Sequence, residues 1–276
     1  MLTDLLEVPI AEIGLLDPMR ILKADLREAA GTLGIREVRY LVDLYYQVQE
    51  VRKASGNQQR QMGDGEPHKI LDWVHIRMQD IEGTIKGALD SYTMAESTGM
   101  GAWAREFVGI GPVLSAGLLA HIEIEKAPTI GHIWRFAGLD PSDPWEKGQK
   151  RPWNADLKVI CYKIGDSFKK FHNHPNDTYG KFYVERKAYE VLRNDRFEYR
   201  DQAEAKLRRF VIGKATEAYK AYSIGKLPPA HIDQRAQRWA TKLFLAHWFK
   251  EAYRRHWGKE PPLPYPIAIL GHTHLR

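Results

Sequence analysis

The stretch 107-FVGIGPVLSAGLLAHI-122 decides how the chain folds. Two glycines flank Ile110, a proline follows, and a run of small apolar residues completes the segment. A glycine pair costs chain entropy on folding, so it stands where the backbone needs an unusual conformation. Pro112 lacks an N–H and suits the first position of a helix, never its interior. The expectation is helix, tight turn, helix, with Ile110 pointing back into the core. Ser115 and Ala116 would keep the two helices close, and Trp103 with Phe107 would form the first helix's apolar face.

Outward from this segment the pattern stays helical. Val38, Leu41, Tyr45 and Val48 follow a 3-4-3 spacing. Leu71, Val74, Met78, Ile81, Ile85, Ala88 and Tyr92 repeat the same spacing, as in a coiled-coil seam. The polar, glycine-bearing 53-KASGNQQRQMGDGEP-67 between them reads as a loop, so residues 1–100 form a long helical hairpin. A stripe that long and narrow exceeds what a two-helix contact needs. The expectation is a homodimer, with closure of the hairpin on itself as the alternative.

Beyond the turn, 130-IGHIWRFAGLDP-141 is a short helix ended by Gly138 and Pro141. A basic loop, 142-SDPWEKGQKRPWN-154, leads to Asn154, an N-cap for ADLKVICYKIGDSFKKF. Asp177 caps a helix to Asn194. Helix 199–223 carries Leu207, Val211, Ala215, Ala218 and Tyr222 on one face, and the last long helix runs from about His231 to Trp257. Alternating Val/Ile/Thr runs are missing, so the fold class is all-α. Three regions result: 1–100, 101–171 around the Gly-x-Gly, and a basic 172–276.

The 276 residues carry a net charge of +6, unevenly spread. Residues 1–144 hold 14 Lys+Arg against 21 Asp+Glu, whereas 145–276 hold 27 against 14. A strongly basic second half suits a polyanion, because clustered cations neutralise phosphates and release counterions. The lone Cys161 excludes an intrachain disulfide and a multi-cysteine zinc site. The acidic start MLTDLLEVPIAEIGLL lacks the basic region of a secretory signal. No uncharged run reaches the length of a spanning helix. The expected location is the cytoplasm, on the nucleoid, or the host cytoplasm for a phage-encoded chain.

Glycines at a hairpin leave no side chain between its amides and a phosphate. The free donors at the start of the next helix, with the helix dipole, then form an anion site. Gly109, Ile110 and Gly111 are therefore candidate DNA contacts that read the backbone rather than the bases. Lys147, Lys150 and Arg151, between Trp145 and Trp153, suit a phosphate-tracking loop with aromatic flanks. Arg235, Arg238, Lys242, Lys250 and Arg254 form a drifting, single-sign ridge on the last helix, against the alternative of a merely solvated face.

The ordered string VGIGPVLSAGLLAHIEIEKAPTIGHIWRFAGLDP resembles the C-terminal domain of a family of bacterial insertion-sequence transposases with a RuvC-like, DEDD-type catalytic domain. In that family a G-I-G-P-x-x-A hairpin precedes a helix, a short acidic link (here Glu123-Ile124-Glu125) and a helix ending A-G-L-x-P (here Ala137 to Pro141). The resemblance covers roughly residues 103–170. It implies a helix–hairpin–helix that binds DNA in a protein of a mobile element or phage. Residues 1–100 leave no room for a RuvC-like sheet. The family's serine before a glycine is replaced by Lys147-Gly148, with Ser142 out of register. The expectation is thus a sequence-tolerant binder of duplex or branched DNA, with RNA as the other polyanion. An enzyme of strand cleavage or transfer, using Ser142 or Asp140 and Asp143 with Mg²⁺, is the alternative. The pairs His172/His174 and His272/His274, and Asp140/Asp143/Glu146, have metal-ligating residue types. They lie on loops without fixed relative position, so no metal is assigned. Tyr179, Tyr183 and Tyr189 lack any legible activating partner for a covalent role.

Overall fold

The computed structural model describes residues 24–62, 69–140 and 145–262. All regular structure among them is helical. α1 (Ala24–Gly31), α2 (Ile35–Gln61) and α3 (Lys69–Ala95) are followed by α4 (Met100–Arg105) and α5 (Pro112–His121). A 3₁₀ turn (Ile124–Lys126) leads to α6 (Ile130–Phe136), α7 (Ala155–Phe171) and α8 (Tyr179–Asp195). The chain ends with α9 (Arg200–Arg209), α10 (Glu217–Ser223) and α11 (Pro229–Trp257).

α2 and α3 lie antiparallel. Gly56 sits against the His75 ring at one end, and Arg52 pairs with Glu82 at 2.5 Å further along. Val38, Val42, Ile85 and Leu89 are buried at the other end. The stretch expected to be a loop from residue 53 instead stays helical to Gln61. Gly56 costs helix stability only modestly there, and it lets His75 approach closely: a Cβ would lie 3.2 Å from the imidazole. Of the expected seam, Ile85 and Tyr92 are buried in their own chain, whereas Ile81 is 50% exposed and Val74 36%.

α5 is buried nearly all round, as a helix of small and aliphatic residues must be. Gly117 allows α7 to press on it, since a Cβ there would meet Ile160 Cδ1 at 2.8 Å. Ser115 donates to the Gly101 carbonyl at 3.0 Å and ties α5 to α4. Asn154 caps α7 by accepting the Leu157 amide at 2.8 Å. Asp177 accepts from Gly180 and Lys181 and caps α8. The 29-residue α11, about 43 Å long, forms the spine against which α4, α6, α7 and α8 pack.

The expected single helix 199–223 is two. Phe210 takes extended backbone, and Thr216 starts α10 by accepting the Tyr219 amide. Val211, placed on the expected apolar face, is wholly exposed. A second, small core of Tyr199, Ala203, Tyr222, Leu227 and Ile232 holds α9, α10 and the start of α11 together. It buries α9 and α10 by folding them on each other, which one straight helix could not do.

Candidate nucleic-acid interface

The turn at 107–111 rests on a cluster of rings. Trp103 and Phe107 meet edge-on at 4.9 Å, and Phe107 contacts Tyr179 and Phe244, with Phe168 beneath. Ile110 is 5% exposed and anchors the turn, its amide donating to Phe107 at 3.0 Å. Gly109 has φ +94°, and its carbonyl accepts from Ser167 at 2.7 Å. Gly111 opens α5, and a Cβ there would face open space. Among the described residues nothing accepts a hydrogen bond from the amides of Gly109, Gly111, Val113 or Leu114.

Phe107 also lines a cleft of about 270 Å³ with Trp103, Thr178, Tyr179, His247, Lys250, Glu251 and Arg254. Lys250 is exposed, and Arg254 pairs with exposed Glu260. Two of the expected contacts from the last helix thus stand beside the hairpin, while the other three lie half a helix away.

There Arg235 is engaged internally. Its Nε bonds Glu190 at 2.9 Å, and its guanidinium covers the Tyr199 ring at 4.4 Å. Glu190 is 1% exposed and also accepts from Arg186 and Tyr199. Lys242 lies over Trp134 at 4.2 Å, and burial lowers its pKa. Arg238 stays exposed at the surface yet is partly dehydrated; that burial, with Arg235 beside it, lowers its pKa. Lys158, 3.8 Å over Trp153, is lowered by burial and by Arg151 and Arg238. His231 is lowered to about 4 by burial, then by Arg238, Arg235 and Lys206. Arg151, Lys158, Arg238 and Lys206 form one like-charged ridge across the 145–153 loop, α7, α11 and α9, with neutral His231 and the Glu190-paired Arg235 set among them. Arg151, Lys158, Lys206 and Arg238 have no ion-pair partner among the described residues.

Lys147 and Lys150 are exposed near Arg151, which lies 5.4 Å over Trp145. Trp145 and Trp153 meet edge-on at 6.1 Å, so the rings brace the loop. Lys158, Lys206 and His231 escaped the sequence reading. His231 carried a signal, four residues before Arg235 and seven before Arg238 on one helix face. Lys158 and Lys206 reach the ridge only through tertiary packing.

Of the other candidates, Ser142, Asp143, His272 and His274 lie outside the described residues. Asp140 is half-buried within electrostatic reach of Lys242. His172 Nδ1 contacts the Lys169 carbonyl and His174 Nδ1 accepts from Asn176. No group of three metal-ligating side chains occurs among the described residues. Tyr179 is buried and bonded to His247, Tyr183 to Asp233, and Tyr189 lies beside Arg186. No helix among the described residues is long and apolar enough to cross a membrane. No family model matches the chain, and neither a curated protein nor a solved structure matches it at a significant level.

Proposed function

We propose that this chain binds duplex or branched DNA through its phosphates, without strong preference for base sequence. The like-charged ridge carries the reading. Burial first, and neighbouring cations next, lower the pKa of Lys158 and Arg238, so bringing these charges together opposes the folded state, and a polyanion laid along them relieves that repulsion and releases its own counterions. The hairpin adds bare amides at Gly109 and Gly111 and the first turn of α5, with Lys250 and Arg254 beside them at the cleft. A helix start of this kind favours an anion. The resemblance to mobile-element transposases points the same way and suggests a phage or mobile-element context. The exposed apolar end of α3, with Ile70, Val74 and Ile81, suits pairing of two copies.

Anisotropy titrations of duplex, single-stranded and four-way-junction DNA across a salt series test the proposal. Affinity should fall steeply with salt, and unrelated sequences should bind alike. Flat salt dependence, or preference for one sequence alone, would sink it.

A further inference from the structure

Between α9 and α10 the chain turns over at 206-KLRRFVIGK-214. Leu207 and Ile212 pack on the small core and fix the two sides of the tip. Thr216 secures the return strand of the turn: its amide and hydroxyl both donate to the Gly213 carbonyl, at 3.0 and 2.7 Å. Between these anchors Phe210 is 48% exposed and Val211 107%. A branched aliphatic side chain held wholly in water at a fixed turn gains nothing from burial in the isolated protein and is free to gain it from a partner.

Four cations stand around it, Lys206, Arg208, Arg209 and Lys214, and the segment has no acidic residue. Lys206 and Arg209 lie over the Phe210 ring at 5.0 and 5.5 Å. Glu204 reaches Arg208 only at 3.9 Å with both side chains exposed, a contact of little energetic weight. Lys206 also contributes to the positive field at His231, with Arg235 and Arg238. The tip is therefore one end of the ridge described above.

We propose that this tip is a wedge for the minor groove of duplex DNA. Phe210 and Val211 enter a base step and partly unstack it, while Arg208, Arg209 and Lys214 hold the flanking phosphates, so the bound duplex is kinked. Apolar side chains inserted in this way bend DNA towards the major groove and let it wrap more of the protein. An anionic membrane surface would also accept two apolar residues ringed by cations. It would meet only the tip, whereas the ridge running back to Lys158 and Arg151 calls for a polyanion that continues past it. The inference rests on the DNA-binding reading, and separate readouts distinguish the two.

The test uses the full chain and a duplex of about 25 base pairs, with dyes at its ends and 2-aminopurine placed at successive interior steps. The wild type should shorten the end-to-end distance and raise 2-aminopurine fluorescence at one or more steps. Val211→Ser and the double variant with Phe210→Ser should still bind duplex with a salt-dependent affinity carried by the ridge, weaker than wild type by the contacts that the bend adds, yet lose both signals. Removing Val211 leaves no cavity, so its variant keeps the wild-type melting point. Arg238→Gln should do the reverse, weakening binding but bending the duplex as wild type does at saturation. Bending and fluorescence unchanged in the tip variants would overturn the wedge and leave DNA binding standing. Absence of duplex binding by the wild type would overturn both. Val211-dependent binding to phosphatidylserine–phosphatidylcholine vesicles, with DNA bending unaffected, would assign the tip to lipid and overturn the wedge.

Discussion

Tyr183 on α8 donates a 2.5 Å hydrogen bond to Asp233 on α11. Two turns further along α8, and two residues further along α11, the exchange is reversed, with Glu190 accepting from Arg235. Each carboxylate gathers further donors, Lys169 and Lys187 at Asp233, Arg186 and Tyr199 at Glu190. Part of the basic second half is thereby spent on holding α8 against α11. What remains unpaired becomes the surface.

Asp233 should mark the acid limit of stability. Burial by itself raises its pKa, but hydrogen bonds from Lys169, Lys187 and Tyr183 outweigh that and hold it at about 2. The folded form therefore binds the proton less readily than the unfolded chain. The contribution, about 2 kcal/mol, is complete above pH ~4 and is lost as pH falls to ~2. Denaturant melts of Asp233→Asn should show lower stability at pH 7 and a flatter profile across that window.

Arg235 and Arg238 should separate stability from binding. Arg235→Gln removes a partner of a buried carboxylate and should cost about 1–3 kcal/mol, with Arg186 and Tyr199 limiting the loss. Arg238→Gln relieves repulsion and should leave stability within about 0.5 kcal/mol of wild type. Its duplex affinity should fall, with a salt slope shallower by about 0.9 for one lost phosphate contact. Paired melting curves and salt titrations check both.

Gly109 and Gly111 should behave differently although they flank one residue. At Gly109 the left-handed backbone and Ser167 Oγ, 3.0 Å from an added Cβ, should make alanine cost about 1–2 kcal/mol. Gly111 has φ −92° and open space around it, so Gly111→Leu should melt near the wild-type temperature. That leucine covers the hairpin amides and should weaken binding to unrelated duplexes equally. Unaltered affinity would remove the hairpin from the interface.

His231 should report on occupancy of the ridge. Burial, Arg238, Arg235 and Lys206 hold it neutral down to about pH 4 in the free protein. The unfolded chain takes up this proton nearer its ordinary pKa of about 6.5, so stability declines as pH falls from there towards 4. Phosphates beside the cations would cancel their field. An NMR titration should find the His231 pKa higher with duplex bound, and an identical value would place the DNA elsewhere.

The helical elements were legible because their causes are local. Pro112 after Gly111 opens α5, Asn154 caps α7, and the spacing through Ile85 and Tyr92 sets one face of α3. Errors came where local and tertiary preferences part. Gly56 in a polar stretch reads as a loop, yet α2 continues because His75 packs against it. Val211 fits a helical face, but the small core forms only if the chain breaks at Phe210.

The positive second half, the all-helical class and the tight turn around Ile110 were determined by composition and by interactions within a few residues. Helix spacing likewise put Arg235 and Arg238 on one face, but it carries no information about the surface that face meets. Packing of α8 on α11 decided that Arg235 neutralises Glu190 and that Arg238 does not. Packing of α7 on α11, and the small core that joins α9 to the start of α11, brought Lys158 and Lys206, about 50 residues apart in the chain, into one field. Desolvation and mutual repulsion exist only once the helices have met, and those forces separate a structural cation from one left to bind.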